Sequence, residues 1–165
     1  MGCIRFLLSP FAFVLGAIVL GLVTLIGFAI TTSTLGMQKA YLEDGWLISD
    51  TFAAILLGIT FVGSMAGAFV ARRMGSGLAT LLLIAFVAYI SLVQNVDSPQ
   101  DPSKSQRFAG RPDSRPENVG LVDLMRWTEQ PNWVRYGSAL VGVTGVLFGA
   151  SLAKSRRKTS GANAD

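Results

Sequence analysis

Four long stretches of the chain contain no Asp, Glu, Lys or Arg. They lie between Arg5 and Lys39, between Asp50 and Arg72, between Arg73 and Asp97, and between Arg135 and Lys154. The hydrocarbon core of a bilayer is about 30 Å thick, and about 20 apolar residues of helix cross it. The sequence therefore predicts an all-α membrane protein with four transmembrane helices, near residues 11–33, 52–71, 78–95 and 136–153. Helices are required because hydrocarbon offers no partner for unpaired backbone groups.

The composition argues against catalysis and metal binding. The chain has one cysteine, Cys3, and no histidine. It can therefore form no internal disulfide or zinc site, and it lacks the commonest general base and haem ligand. None of the four spans contains a charged residue, although transport and proton relay usually need ionisable groups inside the membrane. We expect no enzyme activity and no cofactor, and leave open a contact with bound lipid or pigment.

The distribution of basic residues predicts the orientation in the membrane. Lys and Arg near span ends stay in the cytoplasm. The count ties between the two sides, but the bases on one side lie tightly against span ends, which predicts that both termini are cytoplasmic. The topology anchors are Arg72, Arg73, Lys154, Arg156, Arg157 and Lys158. Because the last four directly follow a span, we expect them to contact anionic lipid headgroups rather than nucleic acid.

Aromatic residues cluster at the predicted outer interface. Amphipathic rings are stable at the level of the lipid headgroups. The predicted anchors are Trp46, Trp127, Trp133 and Tyr136, with Tyr41 beside them. The alternative interpretation is a cluster that contacts a pigment or a quinone.

Spans two and four end in the same pattern, GxxxGAxxA followed by a base. Residues four apart lie on one helix face, and small residues let transmembrane helices approach closely. We call Gly63, Gly67 and Ala71 the first small-residue face, and Gly145, Gly149 and Ala153 the second. The faces either pack within the bundle or bind a partner protein. The repeated pattern also suggests two tandem helical hairpins.

The chain divides into the first three spans (1–95), an outer segment (96–134), the fourth span (135–153) and a basic cytoplasmic tail (154–165) whose last residues, 159–165, we expect to be disordered. The first half of the outer segment is rich in proline and polar residues, which cannot build a core. In its second half, apolar residues recur at helical spacing and predict a short amphipathic helix at about 119–128, lying on the membrane or docking on a partner. The turn at 72–77 predicts that spans two and three are antiparallel neighbours.

Hydroxyl residues Thr31, Thr32, Ser33 and Thr34 close the first span. Such side chains bond back to carbonyls one turn earlier, so we expect them to end or bend the helix. A polar pore mouth is the alternative.

The sequence resembles small uncharacterised four-helix integral membrane proteins of bacteria. The resemblance covers roughly residues 52–153 and rests on GSMAGAFVARRMGSG at 63–77, the apolar third span, and Pro131 and Trp133 before a glycine-rich fourth span. It implies the fold and the topology, in a bacterial inner membrane with the long loop outside. The long polar insert at 97–130 departs from that group.

The residues together favour a protein that functions by contact. We expect a non-catalytic accessory subunit of a larger membrane complex, of the respiratory or photosynthetic kind, with other membrane subunits and lipids as its partners. The alternative is a small passive channel or carrier that acts as a homo-oligomer.

Overall fold

The computed structural model describes residues 7–42, 45–93, 110–116 and 119–162. Side chains are described within these ranges except at residues 93, 132 and 155–162. The regular structure of this part of the chain is helical, with two isolated bridges, Tyr41 to Ile48 and Leu47 to Glu129. The helices are α1 (Ser9–Leu35), α2 (Met37–Ala40), α3 (Asp50–Met74), α4 (Gly77–Val93), α5 (Leu121–Trp127) and α6 (Asn132–Ala162).

Three of these helices are long and apolar enough to cross a membrane, which fits an integral membrane protein. They are Ser9–Leu35, Asp50–Met74 and, within α6, Trp133–Lys154. The fourth apolar helix, α4, has 17 residues, which at 1.5 Å per residue is about 26 Å and shorter than the hydrocarbon core. Its predicted end at residues 94–95 lies outside the described residues.

Local sequence explains where the helices begin and end. Pro10 lies in the first turn of α1, where its missing N–H costs no hydrogen bond. Helix α1 ends at Leu35 and is followed by Gly36, whose positive φ of 72° glycine adopts without strain. Ser49 caps α3 by accepting a hydrogen bond from the backbone N–H of Phe52 at 3.3 Å.

Helix α3 packs between α1 and α6. It runs antiparallel to α1, since Gly16 faces Gly67 while Gly27 faces Ile59. It runs parallel to α6, whose Gly149 faces Met65. Helix α4 packs against α6 and α1 and completes a four-helix arrangement.

The turn at 72–77 connects antiparallel helices that are not a closely packed pair. Helices α3 and α4 contact each other less than either contacts α6. Val87 of α4 and Ser64 of α3 both approach α6 at Gly142. A short turn fixes the direction of the second helix, but the close approach at glycines of α6 decides which helices pack.

Two clusters of buried apolar residues lie at opposite ends of the bundle. The cluster near the 72–77 turn contains Ala12, Ala68, Ala71, Ala79, Leu83, Val87 and Val146. The cluster at the other end joins the bundle to the loop between α1 and α3 and to α5, and includes Phe28, Tyr41, Trp46, Phe52, Leu124 and Val134.

Helix α6 continues beyond the predicted span. It remains helical to Ala162, whereas the sequence suggested that residues 159–165 are disordered; residues 163–165 lie outside the described residues. The tail up to Ala162 contains no proline that would stop the helix.

Candidate functional site

The first small-residue face packs against α1. A Cβ added at Gly67 would lie 2.5 Å from the carbonyl oxygen of Gly16, and one at Gly63 would lie 3.2 Å from Thr24 Oγ1. Ala71 is fully buried. This face is therefore covered within the chain, and glycine is required at Gly16 and Gly67 because the two backbones touch there.

The second small-residue face packs against a different side of α3. A Cβ added at Gly145 would lie 2.7 Å from the carbonyl oxygen of Phe61, and one at Gly149 would collide with the backbone of Met65. Ala153 is 4% exposed. The two faces thus do not meet each other: the first lies on α3 and packs against α1, and the second lies on α6 and packs against another side of α3.

A cavity lies among the four long helices in the half of the bundle away from the 72–77 turn. Its volume is about 340 Å³. All four helices contribute side chains to its wall, which includes Leu57, Phe86, Ile90 and Val134. The lining is mainly apolar, and no charged residue belongs to it. Pockets that hold small molecules in proteins have this size and this apolar character.

Most hydroxyl groups around the cavity bond to a carbonyl of their own helix. Thr24 Oγ1 donates to the carbonyl of Leu20 at 2.9 Å, and Thr60 Oγ1 donates to that of Leu56 at 2.8 Å. Ser138 Oγ likewise donates to a carbonyl of α6, that of Arg135, at 2.9 Å. These groups add little polarity to the wall because their hydrogens are engaged.

Ser64 differs from these residues. Its side chain is fully buried, lines the cavity, and its Oγ has no hydrogen-bond partner. The other unpartnered buried side-chain atoms of the described residues, on Thr80, Trp127 and Arg135, belong to residues outside the cavity wall. A buried hydroxyl without a partner costs about 1–3 kcal/mol of free energy. Ser64 is therefore an unsatisfied polar group in a mainly apolar wall.

The cavity is closed towards the 72–77 turn. Ala68, Ala71, Ala79, Leu83 and Val146, all fully buried, fill the bundle there. Gly75 packs so closely that an added Cβ would lie 2.8 Å from Ala12 Cβ. We call this region the closed half.

The other end of the cavity is covered by the loop between α1 and α3 together with the described part of the outer segment. We call these residues, 36–42, 45–49, 110–116 and 119–131, the cap. Met125, Thr128 and Gln130 of the cap belong to the cavity wall. Two backbone hydrogen bonds join its parts, from Ile48 N to the Glu129 carbonyl at 3.1 Å and from Glu129 N to the Trp46 carbonyl at 2.8 Å.

Side chains also hold the cap together. Arg115 donates to the carbonyl of Gly45 at 2.9 Å, and its guanidinium lies 4.5 Å from the centroid of the Tyr41 ring. Arg111 forms an ion pair with Glu129. Tyr41 and Thr128 share a hydrogen bond of 2.8 Å between their hydroxyls.

The environment of Tyr41 in the cap perturbs the titration of its hydroxyl. Burial raises the pKa of Tyr41 above its usual value, because the charged phenolate would be poorly solvated. The hydrogen bond with Thr128 and the charge of Arg115 lower that pKa by less than burial raises it. The phenol therefore stays neutral at physiological pH.

The predicted aromatic anchors divide into two groups. Trp133 and Tyr136 are 48% and 64% exposed and can reach lipid. Trp46 is 4% exposed and donates from Nε1 to the carbonyl of Pro112 at 3.1 Å. It stacks edge-on against Trp127 at 5.4 Å between ring centroids. Trp46 is therefore part of the cap interior and not a lipid anchor, because the outer segment folds over it.

The amphipathic helix docks on its own chain. In α5, Leu124 is 1% exposed and belongs to the cap cluster, while Val122 is 78% exposed. The described part of the outer segment is thus folded against the bundle. Of the proline-rich first half of the outer segment, 98–116, residues 98–109 lie outside the described residues, whereas Pro112 accepts the hydrogen bond from Trp46.

The topology anchors lie at one end of the bundle. Arg72 and Arg73 end α3, and Lys154 of the parallel helix α6 is exposed near the same end. Arg156, Arg157 and Lys158 continue α6, and their side chains lie outside the described residues. Among the residues that the structure describes, no group of three or more His, Cys, Asp or Glu side chains could hold a metal ion.

Sequence reasoning missed both the cavity and Ser64. The one signal in the sequence was Ser64, the single serine of the second span, which lies between Gly63 and Gly67. No family model, no curated protein and no solved structure gave a match to this chain.

Proposed function

We propose that this protein is a non-catalytic subunit of a larger membrane assembly, such as a respiratory or photosynthetic complex. In this proposal the chain crosses a bacterial inner membrane four times, α4 being the short span, and both termini are cytoplasmic. The cap then lies on the outer side. The clustering of Arg72, Arg73 and Lys154 at the opposite end of the bundle supports this orientation.

The observation that carries the proposal is the closed half of the bundle. A conducting path through one chain would have to cross the packed side chains of Ala71, Leu83 and Val146, all fully buried. Hydroxyl groups of Thr31 and Thr32, at the cap end of α1, donate to carbonyls of their own helix. These features favour contact over conduction.

The binding surface for partners must differ from the two small-residue faces, because both are covered within the chain. The outward side of α1 is the strongest candidate. Val14, Ile18, Leu22 and Leu25 lie along it and are 40–51% exposed. A Cβ added at the exposed Gly21 beside them would meet no atom within 4 Å.

A native gel of mildly solubilised membranes, followed by mass spectrometry, tests the proposal. We expect stoichiometric migration with a larger complex. Gly21→Leu should release the chain from that complex without lowering its melting temperature, since the added side chain points into open space. Ser151→Ala, which changes an exposed residue on α6, is the control and should leave the complex intact.

Migration of the wild-type chain alone, as a monomer or small homo-oligomer, would contradict the subunit proposal. It would favour the alternative of a passive channel or carrier whose path lies between protomers. Conductance of the reconstituted protein would then be measured, with substitutions at Ser33 and Thr34, whose side chains are exposed.

A further inference from the structure

We propose that the cavity is a binding site for a neutral, lipophilic molecule that carries one hydrogen-bonding oxygen, such as a ketone or an ester carbonyl. This site is independent of the subunit proposal, since it lies inside the bundle and the partner surface lies outside. Its polar contact is Ser64 Oγ, which donates to the oxygen of the ligand.

The apolar wall determines the chemical character of most of the ligand. The cavity of about 340 Å³ is lined by side chains such as Leu57, Phe86 and Ile90, and no charged residue lies in its wall. A charged ligand would be desolvated there without a counter-charge, which is strongly unfavourable. The occupant is therefore neutral and mainly hydrocarbon.

Ser64 sets the position of the polar group. It is the hydroxyl of the cavity wall whose Oγ is fully buried and unpartnered. Gly142 lies opposite, and a Cβ added there would lie 3.5 Å from Ser64 Oγ and 2.5 Å from Val87 Cγ1. Val87 already fills the position of a side chain at Gly142, so the ligand oxygen has to reach Ser64 from the rest of the cavity.

Apart from Ser64 and Gln130, the mainly apolar wall offers water few hydrogen-bond partners. An ordered buried water makes about three hydrogen bonds to protein groups. Thr24, Thr60 and Ser138 have already donated their hydroxyl hydrogens to backbone carbonyls. Apolar cavities in proteins bind small apolar molecules.

Photolabelling with benzophenone, a neutral aromatic ketone, tests the site directly. The full chain in detergent is irradiated at increasing benzophenone concentrations, and adducts are mapped by mass spectrometry. We expect saturable adducts at cavity residues such as Leu57, Ile90 and Met125. Adducts only at outward residues such as Leu140, or labelling that never saturates, would overturn the proposal.

The Ser64→Ala variant tests the hydrogen bond. Loss of one hydrogen bond, worth about 0.5–1.5 kcal/mol, should raise the half-saturating concentration by roughly twofold to tenfold. Thr144→Ala is the control because its exposed hydroxyl donates to the Leu140 carbonyl of its own helix. An unchanged half-saturation in Ser64→Ala would overturn the role of Ser64.

Competition identifies the source of the ligand. 2-Undecanone should compete with benzophenone better than undecane, which has the same chain without the carbonyl. If added phosphatidylcholine also lowers the labelling, a lipid chain with its ester carbonyl is the occupant. If added phosphatidylcholine does not lower the labelling, the occupant is a free neutral molecule. Equal competition by the ketone and the alkane would overturn the polar part of the proposal.

The stability of the probe-free protein gives a second readout. Because Ser64 Oγ is buried without a partner, Ser64→Ala should raise the melting temperature in the absence of ligand. Ser138→Ala removes a hydroxyl that is hydrogen-bonded and should not raise it. A lower melting temperature for Ser64→Ala would mean that the hydroxyl is engaged within the protein, against the proposed site.

Discussion

At the scale of single residues, glycine decides which helices touch. Gly16 and Gly67 bring the backbones of α1 and α3 into contact, and Gly145 and Gly149 do the same for α6 and α3. In lipid there is little hydrophobic drive for helices to associate, so dispersion contacts at such points stabilise the bundle. A side chain added there must push two backbones apart.

Gly67→Leu should therefore destabilise the bundle by about 1–3 kcal/mol or more, the usual cost of overpacking. The check is thermal or denaturant unfolding in detergent, followed by near-UV circular dichroism. Gly21→Leu is the matched control on an open helix face and should unfold as the wild type does. Equal stability of the two variants would mean that α1 and α3 do not meet at Gly67.

The raised pKa of Tyr41 predicts loss of cap stability at alkaline pH. Below the ordinary tyrosine pKa of 10.0, the phenol is protonated in both the folded and the unfolded cap, and its contribution does not vary. Above that pH the unfolded cap loses its proton more readily than the folded cap, so stability falls. Tryptophan fluorescence between pH 8 and about 11 measures this, and Tyr41→Phe should remove the tyrosine-dependent part of the fall.

At the scale of elements, the cap is the part of the fold that depends on polar side chains. Its segments are far apart in sequence, and Arg115 joins them through the Gly45 carbonyl and the face of Tyr41. The bundle below is held by helix packing at glycine and alanine. We therefore expect the cap to open without unfolding of the helices.

Arg115→Ala should open the cap selectively. The loss of a charge-assisted hydrogen bond costs about 1.5–3 kcal/mol. Hydrogen exchange at the amides of Ile48 and Glu129, which bond across the cap, should speed up roughly tenfold or more, while exchange in α3 stays unchanged. Asp123→Asn, at an exposed position on α5, is the control. Unchanged exchange in Arg115→Ala would show that apolar burial alone holds the cap.

The elements also show what the sequence could and could not predict. Charge-free stretches located α1 and α3 to within a few residues at each end, because the bilayer thickness sets the length of an apolar helix. Helix α6 begins near its predicted position but continues to Ala162, beyond the charge-free stretch. The sequence left open whether the small-residue faces pack within the bundle or bind a partner protein. Which face meets which helix could not be predicted, since one chain offers many equivalent pairings of small residues.

The cavity and the cap could not be predicted from the sequence, for a different reason. Trp46 at the end of a loop looks like an interfacial anchor, and only the folded outer segment, with Pro112 and Trp127 against it, makes it a buried residue. Ser64 reads as one more small residue of a packing face. Its lack of a partner depends on the positions of α4 and α6, which no local pattern encodes.

At the scale of the whole molecule, the orientation in the membrane can be tested with the native thiol. The chain has a single cysteine, Cys3. In the proposed topology, a membrane-impermeant maleimide added to intact cells should not label it, but should label inverted membrane vesicles. In a Cys3→Ser background, Asp113→Cys in the cap should show the reverse. Labelling of Cys3 in intact cells would contradict the proposed orientation.

The dependence of the central helix on the last one has a consequence for how the chain is made. Helices enter the membrane in the order of synthesis, and domains form from the N-terminus onward. Helix α1 and α3 can pair through Gly16 and Gly67 as soon as both have emerged. Another side of α3 carries Phe61, Ser64 and Met65. This side faces lipid until the final glycine-rich helix, α6, has been inserted. In a chain that lacks α6, Ser64 therefore faces hydrocarbon. This exposed hydroxyl distinguishes a truncated product from the finished protein.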